Sequence, residues 1–183
     1  MILSNLALEL ESSLDPELKE DTIDGSIQTV IGDFLDEETG LIYENRNLDG
    51  SFLDTFYGGL LKLGHGIEAM WFMMDSAKMR NDSALSERTK NVALSILDYS
   101  WDSVYGGKFY FMDSKGFPPQ LLDWDQKLWW VHLETLIALI KGYELTGDEK
   151  CLNWFNKVHE NTWSHFSDPD FPNWYSISTE EES

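Results

Sequence analysis

The sequence predicts an all-α fold, an α/α toroid of which this chain supplies about half, with short β-hairpin-like strands between the helices. Three observations point there. Stretches with apolar residues at helical spacing alternate with short strand-like runs. The pattern repeats: the strand starts Leu41 and Lys108 lie 67 residues apart, and the helix glutamates Glu68 and Glu134 lie 66 apart. Each unit reads as outer helix, Gly-rich turn, short strand, loop, and inner helix with a glutamate in its early turns. Six helices in three hairpins then form an arc whose inner helices point their early turns at a central cavity. A closed ring of this kind has about twelve helices, so residues 1–183 are expected to be a single incomplete domain.

Each element has its own signal. Residues 1–11 read as the tail of a helix. Asp15-Pro16 is a cap followed by proline at the first helical position, opening a helix to about Leu35 with Leu18, Ile23, Ile27, Val30, Ile31 and Phe34 apolar and Gly25 as a weak point. Asp36 to Gly40 breaks it, Leu41–Glu44 is a strand, Asn45–Gly50 a turn, and 51–63 a loop. A helix from Gly64 to about Lys78 is followed by a break at Asn81-Asp82-Ser83 and a second helix to about Trp101. Lys108–Met112 is a strand after the Gly106-Gly107 turn, and Phe117-Pro118-Pro119 is extended. A long helix is expected from about Trp124 to Leu145 and another to about Phe166. A last strand at Asn173–Ile177 and a polar tail follow.

Composition narrows the function. Eight tryptophans is a large number for 183 residues; indole buries well and stacks on sugar and base rings, so some are expected in the core and some to line a site. A formal charge of -20 argues against nucleic acid and anionic membranes as partners. One cysteine, Cys151, rules out an intrachain disulfide and reads as a small buried residue. The N-terminus has no signal-peptide pattern and no run reaches a membrane span, so a cytoplasmic location is expected. No cluster has metal-ligand spacing and no phosphate loop is present, so no metal and no nucleotide cofactor for the chemistry are expected.

The stretch that carries chemistry is Gly64-His65-Gly66-Ile67-Glu68-Ala69-Met70-Trp71. At helical spacing His65 and Glu68 share one face, with Trp71 further along the stripe, and the glycines leave room for something to approach the backbone. Trp129-Trp130-Val131-His132-Leu133-Glu134 is a variant of the same idea. From the residues alone, a histidine beside a glutamate on a helix is more often a surface pair than a site. Trp71, Trp101 and Trp163 read as core, Trp154 and Phe155 as packing on an outer helix, and His159 and His165 as solvated. Trp124, Trp129 and Trp130 open an inner helix, where at least one is expected to face the cavity.

Gly64-His65-x-x-Glu68-Ala69-x-Trp71 resembles the Gly-His-x-x-Glu-Ala-x-Trp motif of the N-acylglucosamine 2-epimerase family. Similar stretches are Tyr43-Glu44-Asn45 with Asp49-Gly50, Gly106-Gly107-Lys108-Phe109-Tyr110-Phe111, Lys127-Leu128-Trp129-Trp130 with His132 and Glu134, and Phe166-x-Asp168-Pro169. They are collinear over roughly 20–175. Lys62-Leu63 stands where the family usually has Asn-Pro. The resemblance implies an (α/α)6 barrel, matched over its C-terminal half without the barrel's end. The family's second histidine is expected beyond Ser183, and its N-terminal arginine before the chain begins.

The resemblance also implies a sugar 2-epimerase interconverting N-acetylglucosamine and N-acetylmannosamine by deprotonation and reprotonation at C2. His65 would be one acid/base and Glu68 its partner or a hydroxyl acceptor. Trp129, Trp130 and Trp124 would offer flat faces to the sugar, and Glu134 would hold hydroxyls. His132 is a further candidate. ATP as an activator, a homodimer and a renin-like protein partner are implied by the resemblance alone. The chain by itself is expected to be a partial or inactive copy, unstable or oligomeric through its open faces. Two alternatives stand: a glycoside hydrolase or lyase using Glu68 and Glu134 as paired carboxylates, and a non-catalytic protein-binding fragment.

Overall fold

Three antiparallel helix pairs stand side by side in an arc in the computed structural model, which describes residues 1–121 and 124–178. α1 (Ile2–Glu9) pairs with α2 (Pro16–Ile27), α4 (Leu63–Arg80) with α5 (Ser83–Ser100), and α6 (Trp129–Thr146) with α7 (Glu149–Phe166); α3 (Phe56–Gly59) is a single turn. α4 packs on α1 at one side and on α6 at the other, so these three form the inner row. Burial agrees: α4 buries residues all round its axis, whereas the outer α7 buries only Cys151, Val158, Thr162 and Phe166 along one stripe. The all-α expectation holds, and no helix among the described residues is long and apolar enough to cross a membrane.

The helix boundaries follow from local chemistry. Asp15 accepts from the amides of Glu17 and Leu18 with Pro16 behind it. Asp82 and Asp148 cap α5 and α7 in the same way. Asn81 and Gly147 end α4 and α6 in the left-handed region. The helix expected from Pro16 to Leu35 is instead two pieces: α2 gives way to a π-helical segment, Gln28–Phe34. There the Gln28 amide lies over Gly32, where a Cβ would meet it at 2.3 Å, and reaches Asp33 at 3.0 Å. The wider turn is therefore built around a missing side chain.

The strands are shorter than expected and more consequential. β1 (Leu35–Asp36) pairs with β2 (Leu41–Ile42). β3 (Leu60–Lys62) pairs with β4 (Phe111–Asp113), and β5 (Lys127–Leu128) with β6 (Ile177–Ser178). Residues 51–63, expected as loop, thus hold α3 and β3. The inner helix expected from Trp124 starts at Trp129, because β5 takes the residues before it. The polar tail beyond Ser178 lies outside the described residues. The cross-strand pairs Leu35–Ile42, Trp101–Lys108 and Ser167–Trp174 recur every 66 residues, so the repeat seen in the sequence is a repeat of structure.

The core between the rows is apolar, with Ile67, Met70, Met73, Ile96, Leu97 and Leu139 buried. Gly142 lets the Lys90 side chain and the Cys151 sulfur approach α6, at 3.1 and 3.3 Å from where its Cβ would stand. Cys151 is buried there, and burial pushes its thiol up to about 11. Two ion pairs brace the turns: Lys127 with Asp102 at 2.7 Å, buried on both sides, and the buried Lys90 with the half-buried Asp148 at 2.8 Å.

Candidate active site

The site forms where the first turns of α4 and α6 meet the strands that precede them. Leu63 starts α4, its amide donating to the Tyr110 carbonyl at 2.8 Å, next to the β3–β4 ladder. Gly64 follows. A Cβ there would lie 2.8 Å from the Tyr110 ring and 2.9 Å from Trp130, so this glycine admits two aromatic rings to the helix backbone. Gly66 faces the other way, toward Ile96 of α5 at 3.1 Å. The two glycines flanking His65 therefore serve two contacts, one to the site and one to the core.

His65 lies between them, its side chain about one-third exposed at 34%. Its Nε2 is 3.0 Å from the Tyr110 hydroxyl, and its Nδ1 is 3.6 Å from Glu44 Oε1. The Tyr110 ring meets His65 edge-on at 5.6 Å and Trp130 at 5.1 Å, and Trp130 is 6.1 Å from His65. A pocket of about 190 Å³ opens on the Glu44 side, lined also by Tyr43, Phe34 and Ala69.

Glu68 is one turn along α4. Burial holds its carboxyl above the ordinary range; the Glu134 charge pushes the same way, and His65 offsets part of this. Glu134 comes from α6 and accepts from the Trp71 indole N–H at 2.5 Å. Trp71, expected in the core, is half-buried: it packs against the core cluster and its indole also anchors this carboxylate. Lys141 lies over the Trp71 ring at 5.4 Å and pairs with Asp75 at 2.5 Å. His65, Glu68, Trp130 and Glu134 are thus brought together.

Trp129 and Trp124 are not part of this group. Trp129 packs on Trp174 at 6.4 Å, in an aromatic line that continues through Trp163 and His159 to Phe155 along α7. Trp163, expected in the core, is 45% exposed in that line. Trp124 lines a separate pocket of about 300 Å³ with Phe109, Phe111, Phe117 and Pro118.

His132 is fully buried and both its nitrogens are engaged. Nε2 accepts the Lys108 backbone N–H at 2.9 Å, and Nδ1 sits 2.8 Å from the Leu128 carbonyl, to which it donates. Burial lowers its pKa to about 4 and keeps it neutral, as an acceptor nitrogen must be. Lys108, also fully buried, donates from Nζ to the Leu63 carbonyl at 2.9 Å; burial drives its pKa well down, with the Glu134 charge opposing. The chain Leu63–Lys108–His132–Leu128 ties the start of α4 to the start of α6 and sets the spacing of His65 and Trp130. Of the two other histidines, His159 is exposed and stacked on Trp163 at 4.1 Å. His165 is half-buried beside the Asn161 carbonyl rather than solvated.

Tyr110, Glu44, Lys108 and the anchoring role of Trp71 were not assigned from the sequence. Three of these residues lie in the stretches Tyr43-Glu44-Asn45 and Gly106–Phe111, which marked the region but not the contacts.

Comparison with known proteins settles the family. A profile of N-acylglucosamine 2-epimerase (GlcNAc 2-epimerase) matches residues 7–183. The chain belongs to the N-acylglucosamine 2-epimerase family. It is 37% identical to the N-acylglucosamine 2-epimerase of Mus musculus over 142 residues, 77% of this chain and 34% of that protein. It is 38% identical to that of Bos taurus over 135 residues, 73% of this chain and 32% of that protein. The chain therefore spans about a third of the length of these relatives. The solved cellobiose 2-epimerase of Bacillus thermoamylovorans B4167 superposes with a TM-score of 0.76 at 19% identity, over 98% of this chain and 44% of that one. The fold is that of an (α/α)6 toroid, covered here over less than half its length.

Proposed function

We propose that this chain carries one acid/base of a sugar 2-epimerase, acting on C2 of an aldose of the N-acetylglucosamine and N-acetylmannosamine pair. The observation that carries the reading is His65. It is a partly exposed imidazole with the Tyr110 hydroxyl at Nε2 and Glu44 3.6 Å from Nδ1, beside an indole face, in the family's Gly-His-x-x-Glu stretch.

The chemistry follows from these groups. In the open-chain sugar the C2 proton is acidified by the neighbouring carbonyl. His65 takes it, the C–H electron pair moves into a C1–C2 double bond, and the carbonyl pair moves onto O1. Return of the proton to the opposite face gives the epimer; return from His65 gives exchange without inversion. Trp130 offers a flat apolar surface to the C–H face of the sugar. Glu134, oriented by Trp71, accepts from hydroxyls, and so does Glu68 when ionised.

The names of the mouse and cattle relatives support the N-acetylated substrate. The test is incubation of the purified chain with N-acetylmannosamine in deuterated water. Deuterium at C2 with or without N-acetylglucosamine supports the reading. A folded chain that leaves C2 protonated contradicts it.

A second reading has one observation in its favour. Glu68, pushed up next to Glu134, fits the acid partner of a carboxylate pair for glycoside cleavage. Release of the aglycone from an aryl glycoside, lost in both Glu68→Gln and Glu134→Gln, would support it over epimerisation.

A further inference from the structure

We propose that Lys62 is a further catalytic residue, whose ammonium donates to the carbonyl oxygen O1 of the substrate while His65 removes the C2 proton. The proposal rests on the reading of His65 as the acid/base and names the group that takes up the developing charge.

Deprotonation at C2 moves negative charge onto O1, and an oxyanion forming in a site is stabilised by a donor or a cation aimed at it. The carboxylates of Glu44, Glu68 and Glu134 around His65 work against that charge. Three of the cations around this group are committed elsewhere. Lys108 is fully buried, with Nζ donating to the Leu63 carbonyl at 2.9 Å. Lys141 pairs with Asp75 at 2.5 Å and lies over the Trp71 ring. Arg46 lies over the Tyr43 ring, 3.7 Å from Asp36. Lys62 differs from all three. Its side chain is 35% exposed, its Nζ is 3.7 Å from Glu44 Oε2, and it makes no hydrogen bond from Nζ to another described residue.

The fold brings this ammonium to the side of the imidazole. Successive residues of β3 point to opposite faces. Leu61 is fully buried in the core, so Leu60 and Lys62 share the other face. Leu60 packs into the cluster of Tyr110, Val131 and Trp130, which marks that face as the one turned to the site. Lys62 ends β3 and directly precedes α4, the helix that carries His65. One carboxylate then serves both heads: Glu44 Oε1 is 3.6 Å from His65 Nδ1, and Oε2 is 3.7 Å from Lys62 Nζ. Both separations exceed a hydrogen bond. The carboxylate therefore holds the ammonium by charge and leaves its three N–H donors for a ligand. A base and a cation on the two oxygens of one carboxylate suit neighbouring substrate groups, the C2 proton and O1. In the step, His65 takes the proton, the C–H pair becomes the C1–C2 π bond, and the carbonyl π pair becomes a lone pair on O1. Lys62 donates a hydrogen bond to O1 and keeps its proton, so reversal restores the starting charges.

Two measurements on the wild-type chain, Lys62→Met and Lys62→Arg test this, with circular dichroism confirming that all three are folded. The first is calorimetric titration with the aldonate and the alditol of N-acetylglucosamine, open-chain sugars that differ only at C1, a carboxylate against an alcohol. The wild type should prefer the aldonate. Lys62→Met should cut that preference by roughly 10- to 100-fold, the equivalent of one charged hydrogen bond, and Lys62→Arg should keep most of it. A wild type without the preference, or one that Lys62→Met leaves unchanged, overturns the proposal. The second is C2 exchange on N-acetylmannosamine. Lys62→Met should lower kcat by about 10²- to 10³-fold with little change in KM, and Lys62→Arg should recover most of the loss. Exchange that survives in Lys62→Met overturns the role of Lys62 alone. A folded wild type without exchange overturns the epimerase reading, and the catalytic role of Lys62 with it.

Discussion

His65 in α4 and His132 in α6 stand one residue out of register in the 66-residue repeat, and that step separates a partly exposed imidazole from a fully buried one. The glutamates Glu68 and Glu134 are in register, and so are Gly64 and Trp130. One residue along a helix turns the side chain by about 100°. At the position of His65, α6 has Val131 in the core; at the position of His132, α4 has Gly66 against Ile96. The repeat therefore teaches that equivalent turns can be divided between duties. α4 presents the imidazole to the cavity, and α6 uses its imidazole to pin Lys108 and the turn before it. Where α6 carries Trp130, α4 carries no side chain at all, and the indole uses that gap.

Exchanging the two histidines' fates is the severest way to break this comparison. His65→Asn should lower C2 exchange by about 10²- to 10⁴-fold with the urea midpoint unchanged. His132→Ala should instead cost about 3 kcal/mol of stability through the unpaired Lys108 amide and the cavity left behind, and lower exchange only through the loosened spacing of His65 and Trp130. A His65 variant that unfolds the chain, or a His132 variant as stable as wild type, would reverse the assignment.

Acid should expose the same difference. His132 titrates at about 4 in the folded chain and near 6.5 when unfolded. Between these values the unfolded state binds more protons at His132, so its contribution to stability falls as pH drops from about 6.5 to about 4 and levels off below. The loss is on the order of 3 kcal/mol. Urea midpoints at a series of pH values check it, and the contribution should vanish once His132 is replaced.

Gly64→Ala sharpens the Gly64–Trp130 half of the comparison. Its methyl would meet Tyr110 and Trp130 at 2.8 and 2.9 Å, costing about 1–3 kcal/mol as the rings shift. Gly66→Ala, facing a flexible Ile96 methyl at 3.1 Å, should cost less. The smallest effect is expected from Trp71→Phe. It removes the donor to Glu134 and should raise KM by roughly three- to tenfold while leaving the fold intact, as read by steady-state kinetics and circular dichroism.

Much of this arrangement was legible in the sequence because it depends on helical periodicity. The stripe of His65, Glu68 and Trp71, and the spacing of Trp130 and Glu134, follow from 3.6 residues per turn. What escaped depends on contacts between segments. β3 and β4 are three residues each and about 50 residues apart in sequence, too short to show a period, yet their pairing brings Tyr110 to His65. α6 is apolar nearly all round, so its pattern could not separate Trp130, which faces His65, from Trp129, which faces Trp174. Its N-cap position is Leu128 rather than a capping side chain, so no local signal separates its start at Trp129 from Trp124. The Trp71 partner, Glu134, is 63 residues away, and no local pattern specifies it.

The most direct test of the account is solvent deuterium incorporation at C2 of N-acetylmannosamine, measured side by side for the wild-type chain and His65→Asn. The account predicts incorporation by the wild type and none above background by the variant, with both chains folded. Incorporation that survives the loss of His65 would contradict it.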